Sequence, residues 1–198
     1  MKTKTKALTL ALCAMLLVAA SVLTTLAFLT SHDEVKNTFT VGKVAITLDE
    51  AEVDEYGKVV SNQDRVKKNE YKLIPGHKYV KDPTVHFAAG SEASYLFVEV
   101  KNGIEAIETN ESGKTIDDQI TGNGWTALDG ESGVYWQKVD ANTGAKAEDY
   151  KVFGTFTLAD DAAVENYKDA NITITAYAIQ ADGFDTPAAA WDEAKTAK

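Results

Sequence analysis

Residues 94–101 read SYLFVEVK, and this stretch decides the fold because its apolar side chains alternate with a period of two. Leu96 and Val98 share one face of the predicted strand and are expected to face the core, with Tyr95 and Phe97 on the other side. The same alternation recurs in Thr84–Phe87, Val134–Val139, Tyr150–Leu158 and Asn171–Gln180. Short strands separated by turn signals predict an all-β fold, a jelly-roll-like β-sandwich.

Two segments near the C-terminus depart from this alternation and are predicted to be short helices. Asp160–Lys168 has Asp160 or Asp161 as its cap. Pro187–Lys198 has a proline at its start and lysines late, which is typical of a helix. Residues 102–146 contain several Gly- and Asn-rich turn signals, so loops and short strands are predicted there.

Residues 38–48, TFTVGKVAITL, also alternate, but their phase changes within the stretch. Phe39 and Val41 are odd-numbered, whereas Val44 and Ile46 are even-numbered. A shift of one residue would turn these two sets to opposite faces of a strand. Gly42 lies where the phase changes, so a β-bulge is predicted at this glycine.

The N-terminus has the pattern of an export signal. Three lysines within the first six residues precede Ala7–Leu29, a run without any charged residue. Near the end of this run, Thr25 and Ala27 are the small residues at the two positions that a signal peptidase reads. Cleavage is predicted between Ala27 and Phe28, so residues 1–27 form a cleaved signal peptide.

A retained membrane anchor is the competing interpretation, because the uncharged run is long enough to span a bilayer. The abrupt change to the polar sequence TSHDE at residues 30–34 favours cleavage. The protein is therefore predicted to be secreted, to the extracellular space or the cell surface. Membrane contact is expected only through the uncleaved signal, and residues 37–198 are expected to form the β-sandwich domain.

Charge and cysteine content exclude further classes. The chain has 20 basic and 30 acidic residues and a formal net charge of −10, which becomes more negative when the signal lysines are removed. Such a surface repels nucleic acids, so no nucleic-acid partner is expected. Cys13 is the only cysteine and lies within the signal. The secreted domain must then be stable without disulfides.

Cleavage after Ala27 would create a new free end, residues 28–36, which read FLTSHDEVK. Phe28, Leu29 and Val35 are apolar residues in this segment, and an extended segment of this kind can add as a strand to an exposed sheet edge. Because the contact is head-to-tail, it would propagate into a filament. We therefore interpret residues 28–36 as a possible donor strand, with a terminus that has no role as the alternative.

Patterns for catalysis are lacking from the sequence. His32, His77 and His86 do not form a His-Glu-x-x-His pair, and there is no Gly-x-Ser-x-Gly nucleophile motif or phosphate-binding loop. The acidic residues between 49 and 55 lack the spacing of a calcium loop and are interpreted as a solvated loop. We predict no catalytic residue, metal ligand or cofactor, and hence no enzyme.

Three stretches together resemble the TasA/camelysin-like family of exported proteins with a SipW-type signal peptide. The first is the signal end at Thr25–Phe28, followed by an acidic tract and Asn37–Gly42. The second is Leu73–Gly76, a Pro-Gly turn that leads to Lys81–Val85. The third is Ile172–Phe184, which is similar to the closing strand of clostridial-type members.

The resemblance implies a jelly-roll domain, processing by a dedicated signal peptidase, and export to the surface of a Gram-positive cell. It also implies assembly into biofilm matrix fibres, either by self-association or with a related matrix subunit. Camelysin-type members are described as metalloproteases, so a surface metalloprotease is one alternative. A monomeric extracellular binding module is the other, with Trp125, Tyr135 and Trp136 as a sugar-binding face unless these residues belong to the core.

Overall fold

The computed structural model describes Cys13, Met15, residues 42–60 and residues 65–196. The chain divides into two units, residues 1–40 and 41–198, and each is described by itself. In the first unit, Cys13 and Met15 are helical and exposed. Of the described helices, none is both long and apolar enough to cross a membrane. The predicted signal peptide and the residues chosen for cleavage and strand donation lie outside the described residues: Thr25, Ala27, Phe28, Leu29 and Val35.

The described part of the second unit contains nine β-strands, two short α-helices and two 3-10 turns. The strands are β1 (Ile46–Asp49), β2 (Lys78–Val80), β3 (Thr84–Phe87), β4 (Ser94–Asn102), β5 (Thr126–Ala127), β6 (Val134–Val139), β7 (Glu148–Lys151), β8 (Thr155–Thr157) and β9 (Ile172–Gln180). The helices are α1 (Ile116–Gly122) and α2 (Pro187–Ala194), and the turns are Glu105–Ile107 and Val164–Tyr167. The prediction of an all-β fold with short helices is confirmed.

Every strand pair is antiparallel, and the strands form three sheets with the orders β1-β3-β7, β2-β8 and β5-β6-β4-β9. In the four-stranded sheet, Phe97 of β4 is opposite both Trp136 of β6 and Tyr177 of β9. Val98 is opposite Tyr135 and Ala176 in the same way. Neighbouring rows of side chains therefore leave this sheet on opposite faces.

The main core joins one face of the four-stranded sheet to the other two sheets. Leu96 and Val98 of β4 belong to the same cluster as Val85 and Phe87 of β3 and Phe156 of β8, and all five are almost fully buried. The sequence prediction for the core face of β4 is confirmed.

The opposite face of β4 is buried as well, under α2. Tyr95 and Phe97 pack with Ala190 and Trp191, and the ring centroids of Phe97 and Trp191 are 5.3 Å apart. The Thr186 hydroxyl accepts a hydrogen bond from the third residue of α2, and Pro187 fits the first helical turn, where no N–H is needed. A strand with apolar residues on both faces is stable here because a sheet covers one face and a helix the other.

Two predicted elements are wrong in their extent. Tyr150–Leu158 is divided between β7 and β8, which belong to different sheets, because Val152 and Phe153 leave the ladder and are buried in the main core. The helix predicted for Asp160–Lys168 is only the 3-10 turn Val164–Tyr167, and no side chain caps it.

Two further differences concern α1 and Gly42. The structure has α1 in the region where loops and short strands were predicted, and the Thr115 hydroxyl caps it by accepting the N–H of Asp118 at 3.1 Å. Gly42 lies before β1 and in no strand, and Ala45 extends the β1–β3 pairing by accepting the N–H of Ala88. Residues 38–41 lie outside the described part of the chain, so the bulge at Gly42 stays a prediction.

A candidate assembly edge and its groove

Strand β9 lies at the edge of the four-stranded sheet, and among the described strands it pairs only with β4. It is nine residues long, as long as β4 itself. Within the part of the chain that the structure describes, no backbone group forms a hydrogen bond to its other side. The outer side of β9 is therefore an open sheet edge as far as the described residues extend.

The hydrogen bonds at one end of β9 show which residues face outward. Asn171, directly before β9, accepts the N–H of Gly103 at the end of β4. Odd-numbered residues of β9 therefore face β4, because the N–H and C=O groups of successive residues in a strand point to opposite sides. The N–H and C=O groups of Ile174, Ala176 and Ala178 consequently point toward the open edge.

This edge lacks two of the devices that usually prevent strand pairing, charged side chains and proline. Edge strands are commonly short, charged, interrupted by proline or covered by another segment. The sequence of β9 is ITITAYAIQ, which has no charged residue and no proline. The four residues of β7, at the edge of the three-stranded sheet, read EDYK. The open edge of β9 is thus well suited to accept another strand.

A groove of about 950 Å³ lies beside the first half of β9. Residues 172–176 line one side, and residues 66–71 together with 48–50 line other parts. Ile172, Ile174 and Ala176 are half-buried and pack against the main core. An added strand would therefore find apolar surface beside the open backbone groups.

The groove also contains a buried ion pair. Lys81 Nζ donates to Glu50 Oε2 at 2.5 Å, and the other oxygen of this carboxylate accepts from Asn69 Nδ2 at 2.9 Å. Glu50 and Lys81 are only 5% and 8% exposed, respectively. The interpretation of residues 49–55 as a solvated loop is wrong for Glu50, since its charge is paired inside the protein.

A second polar cluster connects the three strands of sheet β1-β3-β7. His86 Nε2 lies 2.8 Å from Asp49 Oδ1, and His86 Nδ1 lies 2.5 Å from Asp149 Oδ1. Burial opposes protonation of the imidazole, but the hydrogen bonds and charges of the two carboxylates outweigh burial and raise the pKa of His86. Arg65 also binds Asp49. The cluster therefore fastens β7 to β3 and β1.

The remaining candidates from the sequence have structural roles. His77 Nε2 lies 2.9 Å from the carbonyl oxygen of Tyr56. In residues 42–60 and 65–196, no group of three or more His, Cys, Asp or Glu residues is arranged to hold a metal ion. Trp125 and Tyr135 are buried in the main core, and Trp136 packs against the cluster under α2. The three aromatic residues thus belong to the two cores.

The structure brings β9, residues 66–71 and the end of β1 to one groove, which the sequence pattern did not predict. One feature of the sequence could have indicated the groove: residues 172–179 contain no charged residue. The position of β9 at a sheet edge could not be predicted from the sequence, because strand order depends on tertiary packing. Searches against protein-family models, curated proteins and solved structures found no match to this chain.

Proposed function

We propose that this chain is a secreted structural protein of the cell surface, of TasA/camelysin-like type with a jelly-roll-like β-sandwich, which assembles into biofilm matrix fibres by strand addition. A dedicated signal peptidase removes residues 1–27 and frees residues 28–36. This segment then pairs with the open edge of β9 in the next copy. The observation that carries the proposal is the long, uncharged outer edge of β9, which has no backbone partner among the described residues.

Strand addition at this edge would gain both hydrogen bonds and apolar contacts. Ile174, Ala176 and Ala178 each offer an outward N–H and C=O, and a backbone hydrogen bond contributes about 1 kcal/mol net. Burial of apolar surface in the groove adds roughly 25 cal/mol per Å². Residues 28–36 match β9 in length, so one segment spans the edge.

The geometry of this contact would lead to a filament and not to a closed dimer. One copy contributes its N-terminal segment and the other contributes β9, so the two surfaces differ. A contact of this heterologous type repeats from copy to copy unless the rotation happens to close a ring. Export would also control assembly, because the segment is free only after cleavage.

The test compares fibre yield by electron microscopy for the wild-type chain and for variants of residues 28–36. Deletion of the segment, or the double substitution Leu29→Asp with Val35→Asp, is expected to abolish fibres because the apolar contacts of the donor strand are lost. The double substitution Thr30→Asp with Ser31→Asp adds the same two charges without removing an apolar residue and serves as the matched control. Mass spectrometry of the mature N-terminus verifies cleavage in every variant.

Fibres of normal yield after deletion of residues 28–36 would contradict strand donation by this segment. A processed protein that stays monomeric in size-exclusion chromatography would support the binding-module alternative. Stoichiometric zinc with chelator-sensitive proteolysis would support the metalloprotease alternative.

A further inference from the structure

The Glu50–Lys81 pair is unusual among the charged groups of this protein. They are the only two charged residues that are buried in the part of the chain that the structure describes. One carboxylate oxygen of Glu50 accepts from the Lys81 amine and the other accepts from the Asn69 carboxamide. A single carboxylate therefore bridges a potential nucleophile and a potential electrophile.

The carboxamide of Asn69 is held in one orientation by the backbone of residues 51–53. Its Nδ2 donates to the C=O of Ala51 at 2.9 Å, and its Oδ1 accepts from the N–H of Val53 at 3.0 Å. A donor on Oδ1 is placed where negative charge would develop if an amine attacked Cγ. Pre-positioned donors of this kind stabilise tetrahedral intermediates of acyl transfer.

The cluster lies beside aromatic side chains. Glu50, Asn69 and Lys81 line the groove together with the aromatic rings of Tyr71 and Phe156, whose centroids are 5.2 Å apart. The contact between Lys81 Nζ and Glu50 Oε2 provides a direct path for a proton from the ammonium to the carboxylate. The product of that transfer is a free amine next to a protonated carboxylic acid, the combination that amide exchange requires.

We propose that Lys81 and Asn69 form an intramolecular isopeptide bond, with Glu50 as the group that carries protons between them. The Lys81 ammonium first gives a proton to Glu50. The neutral Nζ then attacks Cγ of Asn69, and the N–H of Val53 stabilises the charge on Oδ1. Glu50 returns its proton to Nδ2 and takes a second one from Nζ.

The Cγ–Nδ2 bond of Asn69 breaks as the Cγ–Nζ bond is completed. Ammonia leaves and takes up the second proton from Glu50, so it departs as ammonium. The positive charge of Lys81 is thereby carried away by the leaving group, and the Glu50 carboxylate is restored. No oxidant, metal or co-reactant is needed.

The bond would give this domain a covalent cross-link that does not require cysteine. Cys13 is the only cysteine in the sequence. A link between residues 69 and 81 closes a loop that contains β2 and restricts the unfolded chain, as a disulfide does. This proposal does not depend on fibre assembly, because all three side chains belong to one copy.

Mass spectrometry of the full-length chain, purified and then denatured, tests the proposal directly. Trypsin cleaves after Lys and Arg, so an unmodified chain releases peptides 69–72, 79–81 and 82–101. The isopeptide bond blocks cleavage at Lys81 and joins peptide 69–72 to peptide 79–101. We expect this branched peptide, with a mass lower by one ammonia than the sum of its parts.

Variants separate the roles of the three residues. Lys81→Arg and Asn69→Ala are expected to lose the branched peptide, and Glu50→Gln is expected to lose it although both joined residues remain. Lys78→Arg, an exposed residue on the preceding strand, is the control that keeps it. A branched peptide that persists in Glu50→Gln would overturn the role of Glu50. Complete release of unmodified 79–81 from the wild-type chain would overturn the bond itself, whatever the folding of the variants.

Discussion

The edge strands β7 and β9 differ in length, in charge and in the contacts of their outer sides. Strand β7 has four residues, and three of them are charged. The side chain of Asp149 binds His86, and the backbone C=O of Lys151 accepts the indole N–H of Trp125 at 2.9 Å. Strand β9 has nine uncharged residues, and its outward groups have no backbone partner among the described residues. The comparison indicates that short length and charge protect β7 from pairing with another strand, whereas β9 lacks this protection.

The largest expected effect comes from proline on the inner side of β9. Thr175 is opposite Glu99 and its N–H faces β4, so Thr175→Pro removes a ladder hydrogen bond. We expect this substitution to lower the free energy of unfolding by about 3 kcal/mol or more. Ala176→Pro is expected to cost much less, because the Ala176 N–H faces outward and proline is tolerated at an edge. Urea denaturation measures both values, and equal costs would show that β9 is paired on both sides.

The next effect concerns assembly and compares the two edges directly. Ala176→Pro removes an outward donor and places a ring at the open edge, so we expect fibre yield to fall by about tenfold or more, equivalent to about 1.4 kcal/mol. Lys151→Pro is the matched control on β7, where the N–H also faces outward because Val152 donates to Pro83. Sedimentation and electron microscopy give the yields. Equal loss in both variants would remove the distinction between the edges.

Strands with strong alternation of apolar and polar residues could be predicted from the sequence. The arrangement of these strands in sheets could not. The prediction for β4 succeeded because its alternation has a period of two, and the prediction for β9 succeeded for the same reason. Residues 150–158 alternate in the same way, yet they divide at Val152 and Phe153 because two sheets share the main core. The groove cluster was not predictable, since Glu50, Asn69 and Lys81 come from separate segments that only tertiary packing brings together.

The smallest expected effect concerns the cluster of Asp49, His86 and Asp149, which links β7 to β3 and β1. The carboxylates of Asp49 and Asp149 raise the pKa of His86 above its unfolded value of about 6.5, although burial opposes them. The protonated imidazole therefore stabilises the fold fully below that pH, and this contribution disappears as pH rises through the folded pKa. We expect a difference of about 0.2–1 kcal/mol between pH values on either side of this transition.

His86→Gln provides the comparison for this effect, because glutamine cannot become protonated in this pH range. Urea denaturation of the wild type and of His86→Gln at several pH values measures the contribution. We expect the part of the pH dependence that arises between the unfolded and folded pKa of His86 to be absent from the variant. An unchanged pH profile would show that the cluster does not stabilise β7 by charge.

Hydrogen exchange of individual amides tests the open edge of β9 most directly. In the processed monomer, the outward amides of Ile174, Ala176 and Ala178 should exchange quickly, and those of Thr175 and Tyr177 slowly. In the fibre, the three outward amides should become protected, while the outward amide of Lys151 on β7 stays unchanged. Outward amides of β9 that are already protected in the monomer, or that remain unprotected in the fibre, would contradict strand addition at β9.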